Sequence, residues 1–337
     1  MQFKDKPYHF IPATVPESAH TVIRDVAYGP DSRQYLDIYL PAGQQSFPVI
    51  LDLYGGGLLR GQKSSFKLNP SLRFLAAGFA VVSMDYRLNT ATHNQFPAQI
   101  ADISAAIHFL AQHATDYQLN MTHLTLIGES SGAQLAVLAA ASFSAGVPLG
   151  PLSPADIATL PEIKRVIGLY GPYQVDQMTQ QFQQLGITPQ FPETGTADAF
   201  EGIMLDHHAP ETVPDRVKQA NPATYLTPKM PPLFLIAGTK DPVVPYLQSV
   251  DLAQRYQTAT LRPAKTLWVP DGVHGPADYD TDAIYQQKYA FITETPKTTP
   301  HTRRVFLLII VKLCARHRHG YYQPQPVKSP PLKSFLA

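Results

Sequence analysis

An apolar run, Leu124-Thr125-Leu126-Ile127, is joined to a second one, Ala133-Gln134-Leu135-Ala136-Val137-Leu138, by only five residues, Gly128-Glu129-Ser130-Ser131-Gly132. The first run reads as a strand and the second as a helix, so the chain must turn sharply between them. Side chains at either end of that turn would collide with the neighbouring strand or helix, and glycine stands at both ends. Glycine, any residue, serine, any residue, glycine in a strand–turn–helix setting is the pattern of a nucleophile elbow. It holds the serine in a strained backbone conformation and lifts the hydroxyl clear of the sheet. A helix N-terminus beneath it favours developing negative charge.

The surrounding pattern fits a sheet that could carry such a turn. Strands are expected over residues 22–28, 35–40, 49–53, 80–84, 124–127, 165–169, 233–237 and 265–269. The later ones are nearly continuous apolar runs, as parallel strands buried on both faces require. Ile100, Ile103, Ile107 and Leu110 recur at three or four residues and mark one apolar helix face. Further helices are expected from the elbow onward and over 246–256 and 281–293. Strands alternating with helices predict an α/β protein, its central sheet mostly parallel with helices on both faces. The first strands have no helix between them, so that edge is expected to be antiparallel. Residues 172–228, rich in Pro, Gln and other polar residues, interrupt the alternation, with helical patches over 175–185 and 197–206. They read as an insertion over the C-terminal strand ends, where open α/β sheets bind ligands.

Charge divides the chain unevenly. The formal net charge is +1, which gives no argument for a nucleic-acid partner. Residues 295–337 nonetheless carry eight Lys or Arg and no Asp or Glu, leaving 19 basic against 26 acidic groups in residues 1–294. Long-range repulsion from that acidic body disfavours highly anionic substrates, an effect that salt weakens. Within the basic tail, the apolar run 305–311 is far short of the roughly 20 residues that span a bilayer. The tail is read as a C-terminal extension, partly disordered, without membrane contact. The single cysteine, Cys314, allows no intrachain disulfide. The N-terminus lacks the apolar core of a signal peptide, and a cytoplasmic location is expected.

A serine hydroxyl needs a base, usually a histidine oriented by a carboxylate, and in this architecture the chain order is serine, acid, histidine. Asp241 follows the strand 233–237 within Gly238-Thr239-Lys240-Asp241-Pro242, and His274 follows the strand 265–269 within Asp271-Gly272-Val273-His274-Gly275. Asp271 and Asp278 are competing acids but lie too close to His274 in sequence to follow a separate strand. Adjacent His207 and His208 do not form a helical metal pair. Acyl transfer also needs donors for an oxyanion. Residues 49–53 lead into Tyr54-Gly55-Gly56-Gly57, whose glycines let backbone N–H groups face the site. Gly56 and Gly57 are assigned as donors together with the amide of Ser131. No Gly-Lys-Ser/Thr follows the glycines, so a phosphate loop is disfavoured.

These segments resemble the α/β-hydrolases over about residues 20–294, in the esterase/lipase branch near hormone-sensitive-lipase-like and bacterial feruloyl-esterase-like carboxylesterases. The carriers are Tyr54–Gly57, Asp85-Tyr86-Arg87-Leu88, Phe96-Pro97-Ala98-Gln99, Gly128–Gly132, Gly238–Asp241 and Gly272–Gly275. The resemblance implies an α/β-hydrolase fold with 172–228 as a small cap. It places the triad on Ser130, Asp241 and His274 and the oxyanion hole on Gly56, Gly57 and Ser131. Asp85 and Arg87 become architectural. One departure is Tyr54, where the family usually has a histidine that helps hold the oxyanion loop. The tyrosine hydroxyl could substitute for it, or the loop could bind a different acyl group. The expectation is a serine esterase acting on small-molecule carboxylic esters, with no metal or organic cofactor required. Amide or formamide hydrolysis by the same machinery, as in arylformamidase-like relatives, and a non-catalytic binding role remain the alternatives. Substrate identity and oligomeric state are not legible.

Overall fold

Successive residues of the central strands point to opposite sides of one sheet, and that alternation sorts the core into two layers. In the strand Leu233–Gly238, Leu233 and Leu235 join one apolar cluster while Phe234 and Ile236 join the other. The computed structural model describes residues 1–294 except 44–45, 91–92 and 94. The extension expected over 295–337 lies outside the described residues.

All eight expected strands are present: β1 (Thr21–Ala27), β2 (Tyr35–Leu40), β3 (Phe47–Leu53), β4 (Ala80–Met84), β5 (Leu119–Glu129), β6 (Ile163–Leu169), β7 (Leu233–Gly238) and β8 (Lys265–Val269). They form one sheet in the order β1-β2-β4-β3-β5-β6-β7-β8. β1 pairs with β2, and β2 with β4, antiparallel. Every other pairing is parallel. The sheet is that of an α/β-hydrolase; its antiparallel edge is β1 and β2, joined without a helix, against β4, while β3 lies further in and pairs parallel on both sides.

One face packs against the helices Ala98–Gln112, Ser131–Ala145 and Leu247–Thr260. The other meets residues 66–77 and the helix Asp282–Thr293. Ala98–Gln112 buries Ile100, Ile103, Ile107 and Leu110, as their spacing requires. Ser131–Ala145 is different in kind. It is buried continuously from Ser131 to Ser142, with alanine at five of those twelve positions, and small side chains let it lie close against the strands.

Between β6 and β7 the chain forms short helices, among them Met178–Leu185, Phe200–Met204 and Pro214–Ala220. Residues 1–19, which the expected domain left out, belong to the same compact unit, Met1–Thr293. They are tied to it by backbone bonds from Ala13 to Ser64 (2.9 Å) and from Phe66 to Ile11 (2.8 Å). Among the described residues no helix is long and apolar enough to cross a membrane.

Candidate active site

β5 ends at Glu129 and the helix begins at Ser131, so a single residue, Ser130, makes the whole turn. Its backbone sits at φ 51°, ψ −127°, a conformation that costs an L-residue of order 1–3 kcal/mol. The flanking glycines show why no side chain is tolerated. A β-carbon on Gly128 would strike the Gly132 carbonyl, and one on Gly132 would strike the carbonyls of Leu53 and Tyr54. Gly55 is similarly constrained, since its β-carbon would come within 2.7 Å of Ser130 Cβ.

The loops after β7 and β8 are bonded to each other, and this brings two distant side chains to the serine. Thr239 N donates to the Val269 carbonyl (3.0 Å) and Lys240 N to the Gly272 carbonyl (3.1 Å). Asp241 is almost fully buried, and its Oδ1 accepts from the amides of Val243 (2.8 Å) and Val244 (3.0 Å). That leaves Oδ2 for His274 Nδ1, at 2.7 Å. Nε2 of the same ring lies 2.9 Å from Ser130 Oγ. The hydrogen bonds therefore run unbroken from a buried carboxylate to the elbow hydroxyl. Tyr170 sets its ring against the imidazole in an edge-to-face contact at 4.7 Å.

The glycine loop after β3 faces the same place. Gly56 (φ 142°) and Gly57 (φ 64°) adopt backbone conformations open to glycine. Among the described residues, no hydrogen bond uses the amides of Gly56, Gly57 or Ser131 as donor. The next amide, Leu58 N, donates to Ser131 Oγ (3.3 Å), which ties the loop to the elbow helix. Tyr54 does not line the cavity at the serine. Its hydroxyl accepts from Arg33 Nη2 (2.6 Å), and its ring stacks on Tyr86 at 4.5 Å. Arg33 also donates to the Gly61 carbonyl (3.0 Å) and pairs with Asp85 (3.1 Å). The loop is thus held from behind, at Tyr54 and again at Gly61. Asp85 and Arg87 are both engaged structurally, Arg87 through a forked pair with buried Asp102 (2.6 Å at Oδ1).

The other candidates stay apart from this cluster. Asp278 accepts from the Val273 amide (2.8 Å) and shapes the histidine loop, while Asp271 is exposed in the turn before it. His208 bonds the Asp206 carbonyl (2.6 Å), and neither it nor His207 lines the cavity at Ser130. No cluster of three or more His, Cys, Asp or Glu side chains suited to a metal occurs among the described residues.

Several residues at the site carry no sequence signal. Glu129, a variable position of the elbow, is buried and accepts from Tyr170 Oη (2.6 Å), Gly55 N (3.1 Å) and Lys67 Nζ (2.6 Å). Burial alone would raise its carboxyl pKa, but Lys67 and these donors bring it below the ordinary value. Phe3 and residues 6–9 form part of the wall of a cavity of about 430 Å³ that is also lined by Ser130, His274, Gly55 and Gly56. Gln190 and Phe191, from the segment between β6 and β7, line it too. Only an acidic residue at the second elbow position could have hinted at the Glu129 network, and no motif marks the N-terminal segment.

Comparison with known proteins agrees with this architecture. The BD-FAE family model matches residues 36–256. Esterase LipC of Mycobacterium tuberculosis is 25% identical over 263 residues, covering 75% of this chain and 59% of that protein. Isoprenylcysteine alpha-carbonyl methylesterase ICME of Arabidopsis thaliana is 24% identical, covering 66% of this chain and 50% of that one. The chain thus spans about half to three-fifths of the length of these curated relatives. Among solved structures, a truncated carbohydrate esterase from gut microbiota superposes with a TM-score of 0.69 at 27% identity, covering 84% of this chain and 98% of that one. Esterase B from Lactobacillus rhamnosis gives a TM-score of 0.62 at 20% identity, with 91% of each chain covered, a likeness of fold.

Proposed function

From the premise that this chain belongs to the BD-FAE family, we propose that it is a serine hydrolase of small carboxylic esters. Ser130 Oγ attacks the ester carbonyl while His274 Nε2 takes its proton. Asp241 holds the Nδ1–H tautomer and stabilises the imidazolium that forms. The amides of Gly56, Gly57 and Ser131 receive the oxyanion, in line with a helix N-terminus. The tetrahedral intermediate collapses, His274 returns the proton to the leaving alcohol, and an acyl-serine remains. Water, deprotonated by His274, attacks that acyl group and releases the acid and the free serine.

The observation that carries this reading is the unbroken hydrogen-bond line from Asp241 through His274 to Ser130 Oγ, on a residue with strained backbone. The relatives named above are esterases, and none is an amide hydrolase. Residues 172–228 act in this reading as a cap, presenting Gln190 and Phe191 to the substrate. Covalent labelling by a fluorophosphonate, together with hydrolysis of p-nitrophenyl butyrate, tests the proposal. Both are expected in the wild type and absent in Ser130→Ala. A folded wild-type protein that is not labelled would overturn it.

A further inference from the structure

The cavity at Ser130 has an unbalanced wall. Its lining includes Lys6, Arg60 and Lys67, and no Asp or Glu. Lys67 is neutralised by Glu129, 2.6 Å away behind the elbow. Lys6 and Arg60 form no ion pair among the described residues. Arg60 donates instead to the backbone carbonyls of Phe3 and Lys6 and lies 4.1 Å from the Phe3 ring centroid. Desolvation alone lowers its pKa, with no carboxylate to offset the burial. None of the acids near this segment forms an ion pair with Lys6 or Arg60 among the described residues. Asp198 pairs with Lys4 (2.6 Å), Glu193 accepts from the Phe3 amide, and Asp5 does not line the cavity. A half-buried guanidinium has five N–H donors in a planar fork that fits a carboxylate, and backbone carbonyls cannot neutralise its charge.

We propose that the pocket takes esters that carry a carboxylate away from the scissile bond, with Arg60 and Lys6 as the residues that hold it. This rests on the esterase reading and specifies its substrate class. It reverses what the acidic body of the chain suggests by itself. Charges more than about 8 Å away are largely screened at physiological ionic strength, whereas Arg60 and Lys6 meet the ligand directly. The aromatic rings of Phe3, Phe66 and Phe191 supply the apolar wall for the chain that joins the two ends of such an ester.

The carboxylate can sit on either side of the ester, so two substrate pairs are needed. For the acyl side they are p-nitrophenyl hemiglutarate and p-nitrophenyl valerate; for the alcohol side, 4-carboxyphenyl butyrate and phenyl butyrate. The readout is the anionic-to-neutral ratio of kcat/KM, compared between proteins so that intrinsic reactivity cancels. In one arm or both, Arg60→Gln should lower that ratio about tenfold, the size expected for losing a hydrogen-bonded charge partner. Lys6→Gln should lower it several-fold, Arg60→Lys should retain most of it, and raising salt from about 0.05 to about 0.5 M should lower it in the wild type. Lys6 is exposed, so its variant tests the idea even if Arg60→Gln disturbs the N-terminal segment. Ratios unchanged in both arms, with neutral esters still hydrolysed, would overturn the proposal and leave the esterase reading standing. No turnover of any of the four esters, with no fluorophosphonate labelling, would overturn both.

Discussion

At Tyr54 a residue that looked like a gap in a family pattern proves to be a hydrogen-bonded strut. Its hydroxyl does not reach the serine; it accepts from Arg33, which also grips the far end of the glycine loop at Gly61. Of the two readings open for this tyrosine, the structure favours a group that holds the loop. Tyr54→Phe leaves a largely buried guanidinium short of one acceptor, which should cost about 1–2 kcal/mol. It should also lower kcat about tenfold, less than the 10²–10³ that removing an oxyanion donor outright costs, because the donors are loosened and not deleted. Urea unfolding and ester kinetics on the same variant check both. Reduced stability with unchanged kcat would mean that Arg33, Asp85 and Gly61 hold the loop without the hydroxyl. That the hydroxyl could hold the loop was open from the sequence, but its partner was not legible, because Arg33 belongs to no motif and is 21 residues away in sequence.

At the scale of elements, the site depends on how closely one helix approaches the sheet. Gly132 opens the helix Ser131–Ala145 and rests against the carbonyls of Leu53 and Tyr54, at the end of β3 and the start of the glycine loop. Gly132→Ala must push elbow and loop apart, an overpacking cost of about 1–3 kcal/mol, and should abolish most esterase activity although no functional group is lost. Gly146, at the other end of the helix, has open space around it and φ 70°. There an alanine should cost only the left-handed backbone, about 1 kcal/mol, and spare activity. Thermal unfolding and kcat/KM for the two variants separate these cases; equal losses would show that close approach at Gly132 is not the determinant. Strands with uniform apolar character were readable almost to the residue. β5 was read as 124–127 and runs over Leu119–Glu129, because its first half carries exposed Thr122 and His123 and is broken by a register shift against β3. Burial, which periodicity reports, fails where a strand emerges from the sheet.

Across the whole molecule, the buried charged groups Asp52, Glu129 and Lys288 gather beneath the elbow. A cavity of about 20 Å³ is lined by Asp52, Lys67, Glu129, Tyr170 and Lys288 among others. Burial raises the Asp52 carboxyl from 3.8 to about 7, and burial lowers the Lys288 ammonium from 10.5 to about 8. In the unfolded chain Asp52 ionises near its ordinary value, so from about pH 4 to 7 the folded protein holds a proton that the unfolded one has lost. Stability due to this group therefore falls as pH rises through that window. For Lys288 the sign is opposite: its contribution rises between about pH 8 and 10.5. Asp52→Asn should thus gain Tm relative to wild type on going from about pH 5 to about pH 8, measured by thermal unfolding. A difference that stays flat would mean that Asp52 ionises as readily in the fold as outside it. By itself the sequence determined the sheet, its antiparallel edge, the elbow, and the candidates Ser130, Asp241 and His274. Each is written in local terms: apolar period, glycine spacing, or position after a strand. Only the tertiary structure decided that Glu129 and Lys67 pair behind the serine, that Tyr54 braces the loop, and that Phe3 and residues 6–9 with Arg60 wall the pocket. Those contacts join segments that no periodicity links, and they arise where the sheet and the chains crossing its C-terminal edge close around one cavity.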